Sequence, residues 1–299
     1  SYMPFFSVII PTYNRADLIS ETIHSVLGQT FIDFEILVVD DGSTDDTGAI
    51  VTRFFGGHEK VRYFLKQNEE RGAARNFGLE KALGEFALFF DSDDLMKPDY
   101  LSTLYEVIRK TPGIHFLATK YDFLLRDGQH KLAPIHSLAE GWYDRDFFLA
   151  GNILACNYCI RIKDKLFKPF PPQRELSSME DWLFILLNTE RFRLFIKDKV
   201  CMSMREHDDR SMGNNQRVIE ARQKATDWVV RELELSHGEE KKIRAWSHYF
   251  CGIHEYLDHH RAAAVKEACR AIAGAGLNRK FILLFFKSVI GRKWIQRLR

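Results

Sequence analysis

The segment FALFFDSDD, residues 86–94, decides the fold class of this 299-residue chain. Five apolar residues are followed at once by a cluster that contains Asp91, Asp93 and Asp94. An apolar run of this kind is typical of a buried strand, and an open α/β sheet binds its ligand at the carboxyl ends of its strands. Adjacent carboxylates favour a hard cation together with phosphate groups. The segment therefore predicts a sheet edge that holds a metal-bound, phosphorylated substrate.

The first half of the chain alternates strand and helix patterns. Short apolar runs typical of strands occur at residues 6–10, 34–39, 61–65, 86–90 and 115–118. Segments with apolar residues at helical spacing occur at residues 18–27, 47–55, 73–83 and after Pro98. This alternation predicts an α/β fold with a mostly parallel, Rossmann-like sheet flanked by helices.

Two further polar segments follow predicted strands. The first strand ends in PTYNR, residues 11–15, and the second ends in DDGS, residues 40–43. Because parallel strands share their carboxyl ends, both segments should meet the acids of residues 91–94 at one crevice. The sequence has neither the glycine-rich loop of a dinucleotide-binding domain nor a P-loop, so neither of these common nucleotide sites is expected.

The composition is that of a globular protein. Hydrophobic residues make up 45% of the chain, which is enough for a sizeable core. The 43 basic and 41 acidic residues leave a net charge of +2, so nucleic acid is not an expected partner. The N-terminal sequence predicts no cleavable signal peptide, and an odd number of cysteines fits a reducing compartment. We therefore expect a cytoplasmic protein.

The C-terminal residues 279–299 form a basic segment. They contain seven Lys or Arg and no Asp or Glu, interleaved with large apolar side chains. The apolar run is far short of the roughly 20 residues that span a bilayer. The segment predicts a basic amphipathic helix, which could lie on an anionic membrane surface or pack its apolar face on the domain.

Five segments together resemble a known family. They are VIIPTYNR at residues 8–15, VVDDGSTD at 38–45, RGAARNFG at 71–78, the acids at 91–94, and MEDW at 179–182. Their order is similar to that in inverting family 2 glycosyltransferases, which have the GT-A fold. The resemblance implies sugar transfer from a nucleotide donor, with a UDP-sugar expected. The implied acceptor is a saccharide or lipid-linked saccharide of surface polysaccharide synthesis.

The resemblance also implies which residues hold the nucleoside. Pro11, Thr12, Asn14 and Asp40 would contact the uracil and ribose, and Asp40 would accept a hydrogen bond from a base N–H. The alternative for the last three is ordinary turn chemistry, since these residue types favour loops. Arg75 would contact the base or a phosphate, although an exposed, solvated arginine is also possible on a helix surface.

The acidic motif is expected to hold the rest of the donor. The resemblance implies that Asp91 faces the ribose, that Ser92 lies beside the nucleotide, and that Asp93 binds Mn²⁺ or Mg²⁺. The alternative is that the acids cap the helix predicted after Pro98. The family also has a late histidine near the metal, which corresponds here to His207; a lone histidine is otherwise more often structural.

The catalytic base implied by the resemblance is Asp181. An inverting transfer needs a carboxylate that takes the proton from the acceptor hydroxyl. Glu180 is the alternative base. Asp181 could instead be only a helix N-terminal acid, stabilised by the helix dipole.

The predicted domains follow from this alignment of motifs. We expect a GT-A domain over residues 1–215, with a nucleotide-sugar half at 1–110 and an acceptor half at 111–215. A helical region is expected over residues 216–299. The alternative functions are a nucleotidyltransferase, which the missing glycine-rich basic loop disfavours, and a non-catalytic membrane-associated scaffold.

Two patterns suggest zinc but lack a complete ligand set. Cys156 and Cys159 have CxxC spacing without a second pair. A later cluster consists of His248, Cys251, His254, His259 and His260, of which the first three could share a helix face, with no closing acid or cysteine pattern. Zinc is therefore not expected at either place.

Overall fold

The computed structural model describes residues 3–206 and 214–297. The strands of the described part are β1 (Phe6–Thr12), β2 (Phe34–Asp40), β3 (Val61–Leu65), β4 (Phe86–Phe89), β5 (Leu95–Met96), β6 (Phe116–Leu124), β7 (His130–Leu132), β8 (Gly141–Tyr143), β9 (Tyr158–Arg161) and β10 (Leu194–Arg205). The helices are α1 (Ile19–Leu27), α2 (Thr47–Phe55), α3 (Glu70–Lys81), α4 (Tyr100–Lys110), α5 (Arg145–Phe148), α6 (Glu180–Asn188), α7 (Asn215–Glu232), α8 (His237–Leu257), α9 (Arg261–Ala275), α10 (Arg279–Ile290) and α11 (Arg292–Arg297).

The strands form one mixed sheet. Their order is β3-β2-β1-β4-β9-β6-β10-β5, with β7 paired to β6 and β8 to β10. The strands β3, β2, β1 and β4 are parallel, and β6 is parallel to β10. The remaining pairs are antiparallel. The predicted α/β class is confirmed, and the predicted parallel arrangement holds for β3, β2, β1 and β4.

The centre of the sheet is buried on both faces. Every residue of β1, β2 and β4 is buried, which explains their continuous apolar sequences. Helix α3 packs closely on β1 because it has a glycine at the contact: a Cβ at Gly78 would lie 2.5 Å from the Cγ2 of Ile9. This close packing brings the side chains of α3 to the carboxyl edge of the parallel strands.

Internal contacts divide the chain into two compact units. Within the described residues, the sheet unit comprises 3–144, 153–174 and 188–206, and the helical unit comprises 145–152, 175–187 and 214–297. The helical unit includes residues 145–152 and 175–187, which lie earlier in the sequence than its other helices. The predicted domain boundary at residue 215 stays a prediction, as does the division of residues 1–215 into donor and acceptor halves.

The helical unit is built around α8, α9 and α10. Ala245, Ala271 and Phe281 are its buried centre, against which Trp246 and Tyr249 pack. Helix α8 begins with a capping box in which Ser236 and Glu239 exchange hydrogen bonds. No helix in the described ranges is long and apolar enough to cross a membrane.

The basic segment predicted as one helix over residues 279–299 contains two helices, α10 and α11. They are separated at Gly291, whose φ is 91°. A glycine adopts this backbone conformation without the steric cost that a side chain would add. Phe281 and Leu284 pack α10 onto the unit, as one of the two interpretations predicted.

Candidate active site

Asp40 lies at the carboxyl end of β2, directly opposite Thr12 at the end of β1. Its carboxylate is buried and already has two donors. The backbone N–H of Ser43 donates to Oδ1 at 2.8 Å, and the Tyr63 hydroxyl donates to Oδ2 at 2.7 Å. Burial and this hydrogen bond raise the pKa of Tyr63, which keeps the phenol protonated as a donor. Because a carboxylate offers about four acceptor positions, Asp40 can still accept another hydrogen bond.

The neighbouring Asp41 organises the loop that leads into α3. It is buried, and it accepts from the backbone N–H groups of Glu69 and Glu70 at 3.0 and 2.9 Å. It also pairs with the Lys66 ammonium at 3.0 Å. These bonds fix the start of α3.

Asn14 joins the loops after β1 and β2. Its φ is 50°, a left-handed conformation that asparagine tolerates well. The side-chain Oδ1 accepts from the backbone N–H of Thr44 at 2.8 Å, and the Asn14 N–H donates to the Ser43 hydroxyl at 2.9 Å. The turn-chemistry alternative therefore describes Asn14 correctly, and a contact to the nucleoside stays a prediction.

Pro11 and Thr12 are the buried last residues of β1. The Oγ1 of Thr12 is buried and has no hydrogen-bond partner among the described residues. An unpaired buried hydroxyl is costly, and such a group at a strand end is commonly satisfied by a ligand or by water. The Thr12 hydroxyl thus lies at the predicted nucleoside position and has no hydrogen-bond partner among the described residues.

Arg75 is buried, so the alternative of a solvated arginine is wrong. Only 1% of its side chain is exposed, and its Nη2 donates to Asp91 Oδ1 at 2.9 Å. The guanidinium also lies over the Phe170 ring, 5.4 Å from its centroid. The burial of Arg75 follows from its position on the face of α3 that packs against the sheet. The sequence alone does not show which face of the helix this is.

The acids after β4 form a compact carboxylate cluster. One oxygen from each of Asp91, Asp93 and Asp94 lies within 4.8 Å of the others, and in the described part of the chain this is the one group of three or more such ligands. Asp93 also faces Arg15, whose Nε is 3.5 Å from Oδ2. Three carboxylates in this arrangement fit a hard divalent cation.

Arg205 connects the carboxylate cluster to strand β10 by hydrogen bonds. It ends β10, and its Nε donates to the backbone oxygen of Asp93 at 2.9 Å. Its backbone N–H donates to Asp94 Oδ1 at 3.2 Å, and its Nη1 pairs with Glu21 at 2.6 Å. The alternative that these acids cap α4 is wrong: α4 begins at Tyr100 after Asp99, with no side-chain cap. Sequence analysis missed Arg205 because it lies 112 residues from Asp93.

Ser92 is buried between these acids, and its backbone oxygen accepts from the Thr22 hydroxyl at 3.0 Å. This bond helps to fix the loop, while contact with a nucleotide stays a prediction. His207 lies outside the described residues, so its predicted metal contact is not tested.

Asp181 belongs to the helical unit, in the first turn of α6. Its Oδ2 accepts from the Asn152 side-chain amide at 3.0 Å, and its Oδ1 accepts from the Trp182 N–H at 2.8 Å. Asn152 therefore fixes the orientation of the predicted base. The alternative base, Glu180, is almost fully buried, with 3% of the residue exposed.

A buried arginine supports the start of α6. The guanidinium of Arg222 lies 3.8 Å from the centroid of the Trp182 ring and donates to the Ser247 hydroxyl at 2.9 Å and to the backbone oxygen of Ala150 at 3.2 Å. Burial lowers the pKa of Arg222 to about 9. Arg222 thus holds Trp182 and the Asn152 segment, which flank Asp181.

Within the described residues, neither zinc pattern brings three or more possible metal ligands together. Cys156 and Cys159 are buried, and burial raises the pKa of Cys159. Burial likewise raises the pKa of Cys251 to about 12. His248 instead contacts Glu267, at 2.7 Å. The high thiol pKa values disfavour the thiolate form that binds metals.

Comparison with known proteins identifies the family. The model of "Glycosyl transferase family 2" matches residues 7–162, more than half of the chain. The chain belongs to glycosyl transferase family 2. The match contains the loops of Asp40 and Asp93, so the resemblance inferred from the sequence motifs is confirmed.

Two relatives of this family 2 chain differ in their sequence identity to it and in how much of each chain is matched. It is 30% identical to "Putative teichuronic acid biosynthesis glycosyltransferase TuaG" of Bacillus subtilis, over 79% of the chain and 91% of the relative. It is 43% identical to "GalNAc(5)-diNAcBac-PP-undecaprenol beta-1,3-glucosyltransferase" of Campylobacter jejuni, over 35% of the chain and 34% of the relative. The chain spans about a third of the length of the Campylobacter jejuni relative and between a fifth and a quarter of the length of two Rickettsia glycosyltransferases.

Solved structures share the fold of this family 2 chain. Residues 1–349 of S. aureus TarS, in a complex with UDP-GlcNAc, superpose with a TM-score of 0.66 and 20% identity, over 98% of this chain and 88% of that TarS fragment. The mannosyltransferase PcManGT of Pyrobaculum calidifontis, in complex with GDP-Man and Mn²⁺, gives a TM-score of 0.61 and 20% identity, over 99% and 84%. The predicted GT-A fold is thereby confirmed.

Proposed function

We propose that this protein is an inverting, metal-dependent glycosyltransferase that moves a sugar from a UDP-sugar to a hydroxyl group. The observation that carries the proposal is the carboxylate cluster of Asp91, Asp93 and Asp94 at the carboxyl edge of the parallel strands. Family membership supports the reaction class.

The nucleoside is proposed to bind beside β1 and β2. Pro11, Thr12, Asn14 and Asp40 follow the family pattern there, and two of them offer unused hydrogen-bonding capacity. The Thr12 hydroxyl has no protein partner among the described residues, and Asp40 can accept a further bond from a base N–H. The UDP-GlcNAc complex of TarS supports a uridine nucleotide, whereas GDP-Man in PcManGT is the competing precedent.

The diphosphate and its cation are proposed to bind at the carboxylate cluster. Asp93 would hold Mn²⁺ or Mg²⁺, with Asp91 and Asp94 beside it, and His207 is retained as a further proposed ligand. When bound, the cation neutralises charge that develops on the departing nucleoside diphosphate. Arg75 and Arg15 add positive charge next to Asp91 and Asp93, which supports a phosphate-binding role for this edge.

Asp181 is proposed as the general base. Its carboxylate would take the proton from the acceptor hydroxyl while the acceptor oxygen bonds to the anomeric carbon and the bond to the diphosphate breaks. The hydrogen bond from Asn152 to Oδ2 supports this role because it fixes the carboxylate rotamer.

The acceptor is proposed to be a saccharide or lipid-linked saccharide of surface polysaccharide synthesis. The names of the Campylobacter jejuni and Bacillus subtilis relatives support this acceptor class. A lipid-linked acceptor would place the protein at the cytoplasmic face of a membrane, in peripheral contact through the C-terminal residues that begin at Arg279.

A donor screen tests this function against its alternatives. UDP release from a panel of UDP-sugars should be detected with Mn²⁺, should rise when saccharide acceptors are added, and should fall to background with EDTA. A nucleotidyltransferase would instead release pyrophosphate from a nucleoside triphosphate in the presence of a sugar phosphate. A scaffold would release neither product, and either of these results would contradict the proposal.

A further inference from the structure

The helical unit contains a cavity of about 380 Å³ between the end of α8 and the junction of α10 with α11. This volume lies within the range of small-molecule pockets. The polar and charged residues that line it include Tyr256, His259, Arg261, Ser288, Arg292 and Lys293. The lining contains three permanent cations and no carboxylate, so the cavity favours an anion.

The cations of this cavity retain binding capacity. Arg261 donates to the backbone oxygen of Val289, and Arg292 donates to the backbone oxygen of Leu257. Each of these bonds uses one of the five N–H donors of a guanidinium. In the described part of the chain no ion pair joins Arg261, Arg292 or Lys293 to an acid. The two guanidinium groups are therefore fixed in place by the backbone, and no acid among the described residues forms an ion pair with them.

The face of α10 that points away from the helical unit carries large apolar side chains together with Arg279, Lys280 and Lys287. Leu283, Phe286, Val289 and Ile290 are 51%, 57%, 39% and 48% exposed, while Phe281 on the opposite face is buried. Large apolar side chains grouped on one face of a helix mark an interaction surface. The apolar side chains of this face reach the cavity, since Ile290 lines it.

We propose that this cavity binds the phosphate group of an anionic membrane lipid while the exposed apolar side chains of α10 contact the lipid acyl chains. Apolar side chains that end beside the cations of the cavity match the chemistry of a lipid, in which a phosphate lies next to hydrocarbon. A free phosphate would use the cations but would leave these apolar side chains without a function. The inference deepens the proposed membrane contact and rests on no step of sugar transfer.

Vesicle co-sedimentation of the full chain tests the inference. Wild type should bind vesicles of 30 mol% phosphatidylglycerol in phosphatidylcholine, and bind pure phosphatidylcholine much more weakly. Arg292→Gln with Lys293→Gln should lower the partition coefficient about 25-fold, since each cation near a membrane surface contributes roughly fivefold. The matched control, Lys241→Gln with Lys266→Gln, removes two exposed lysines that do not line the cavity and should change it less than threefold.

A single variant separates the apolar side chains of α10 from the cavity. Phe286→Ser should weaken vesicle binding without changing the affinity for inorganic phosphate measured by calorimetry. UDP binding should be the same in all variants, which shows that the donor site is independent of the cavity. An unchanged helical circular dichroism signal and thermal unfolding midpoint show that the helical unit is folded in each variant.

The result that overturns the inference is vesicle binding by the Arg292/Lys293 variant that equals that of the lysine control. Phosphate binding that requires Arg292, together with no preference for anionic vesicles, would identify free phosphate as the ligand and would overturn the lipid assignment.

Discussion

Replacing Asp93 by asparagine should lower kcat/KM for sugar transfer by roughly 10³-fold or more. The change keeps the size of the side chain but removes one of the carboxylates that lie within 4.8 Å of one another. A cation that stabilises the departing diphosphate contributes several kcal/mol to the transition state, so weaker cation binding has a large effect on rate. The variant should also lose most of the gain in UDP affinity that Mn²⁺ provides.

The matched control for Asp93→Asn is Asp46→Asn. Asp46 is an exposed acid at the start of α2 and accepts no capping hydrogen bond, so this variant should transfer sugar as wild type does. Both rates are measured by UDP release at saturating acceptor across a Mn²⁺ titration. Equal activity of the two variants would remove Asp93 from the proposed cation site.

Replacing Asp181 by asparagine should lower kcat by about 10²–10⁴-fold, the range typical of a lost general base. UDP affinity, with or without Mn²⁺, should stay within twofold of wild type because the nucleotide is proposed to bind the loops of the sheet unit. Single-turnover transfer and calorimetry together separate the two effects. This separation distinguishes Asp181 from Asp93, whose replacement should impair both properties.

Three further variants decide the role of Asp181. Asn152→Ala removes the hydrogen bond that orients the carboxylate and should reduce kcat about tenfold with an altered pH profile, as expected of a positioning residue. Glu175→Gln, a change of an exposed acid in the same unit, should have no effect. Full activity in Asp181→Asn together with loss of activity in Glu180→Gln would transfer the base role to Glu180.

The sequence predicted the parts of the site that depend on strand ends. The loops that begin at Pro11, Asp40 and Asp91 follow apolar runs, and parallel pairing brings strand ends together regardless of side-chain detail. The helix over residues 47–55 was also predicted correctly, since its apolar spacing is regular. These features are local, or follow from topology alone.

The contacts that complete the site depend on tertiary packing, which motif spacing does not contain. Arg205 reaches the acids from β10 only because β5 pairs with β10. Tyr63 donates a hydrogen bond to Asp40 from the adjacent strand. Gly48 leaves room for the Tyr63 hydroxyl, since a Cβ at position 48 would lie only 2.5 Å from that oxygen. An arginine and a tyrosine are common surface residues, so nothing in the sequence marked either of them. The break at Gly291 was missed because glycine is tolerated within a helix pattern at modest cost.

Calorimetric titration of the wild-type chain with UDP tests the central claim most directly. The measurement is made with Mn²⁺ and with EDTA, and is repeated with GDP. We predict UDP binding that Mn²⁺ strengthens at least tenfold, with GDP bound more weakly than UDP. Failure of both nucleotides to bind under either condition would contradict the proposed donor site, and a preference for GDP would contradict the proposed base contact at Asp40.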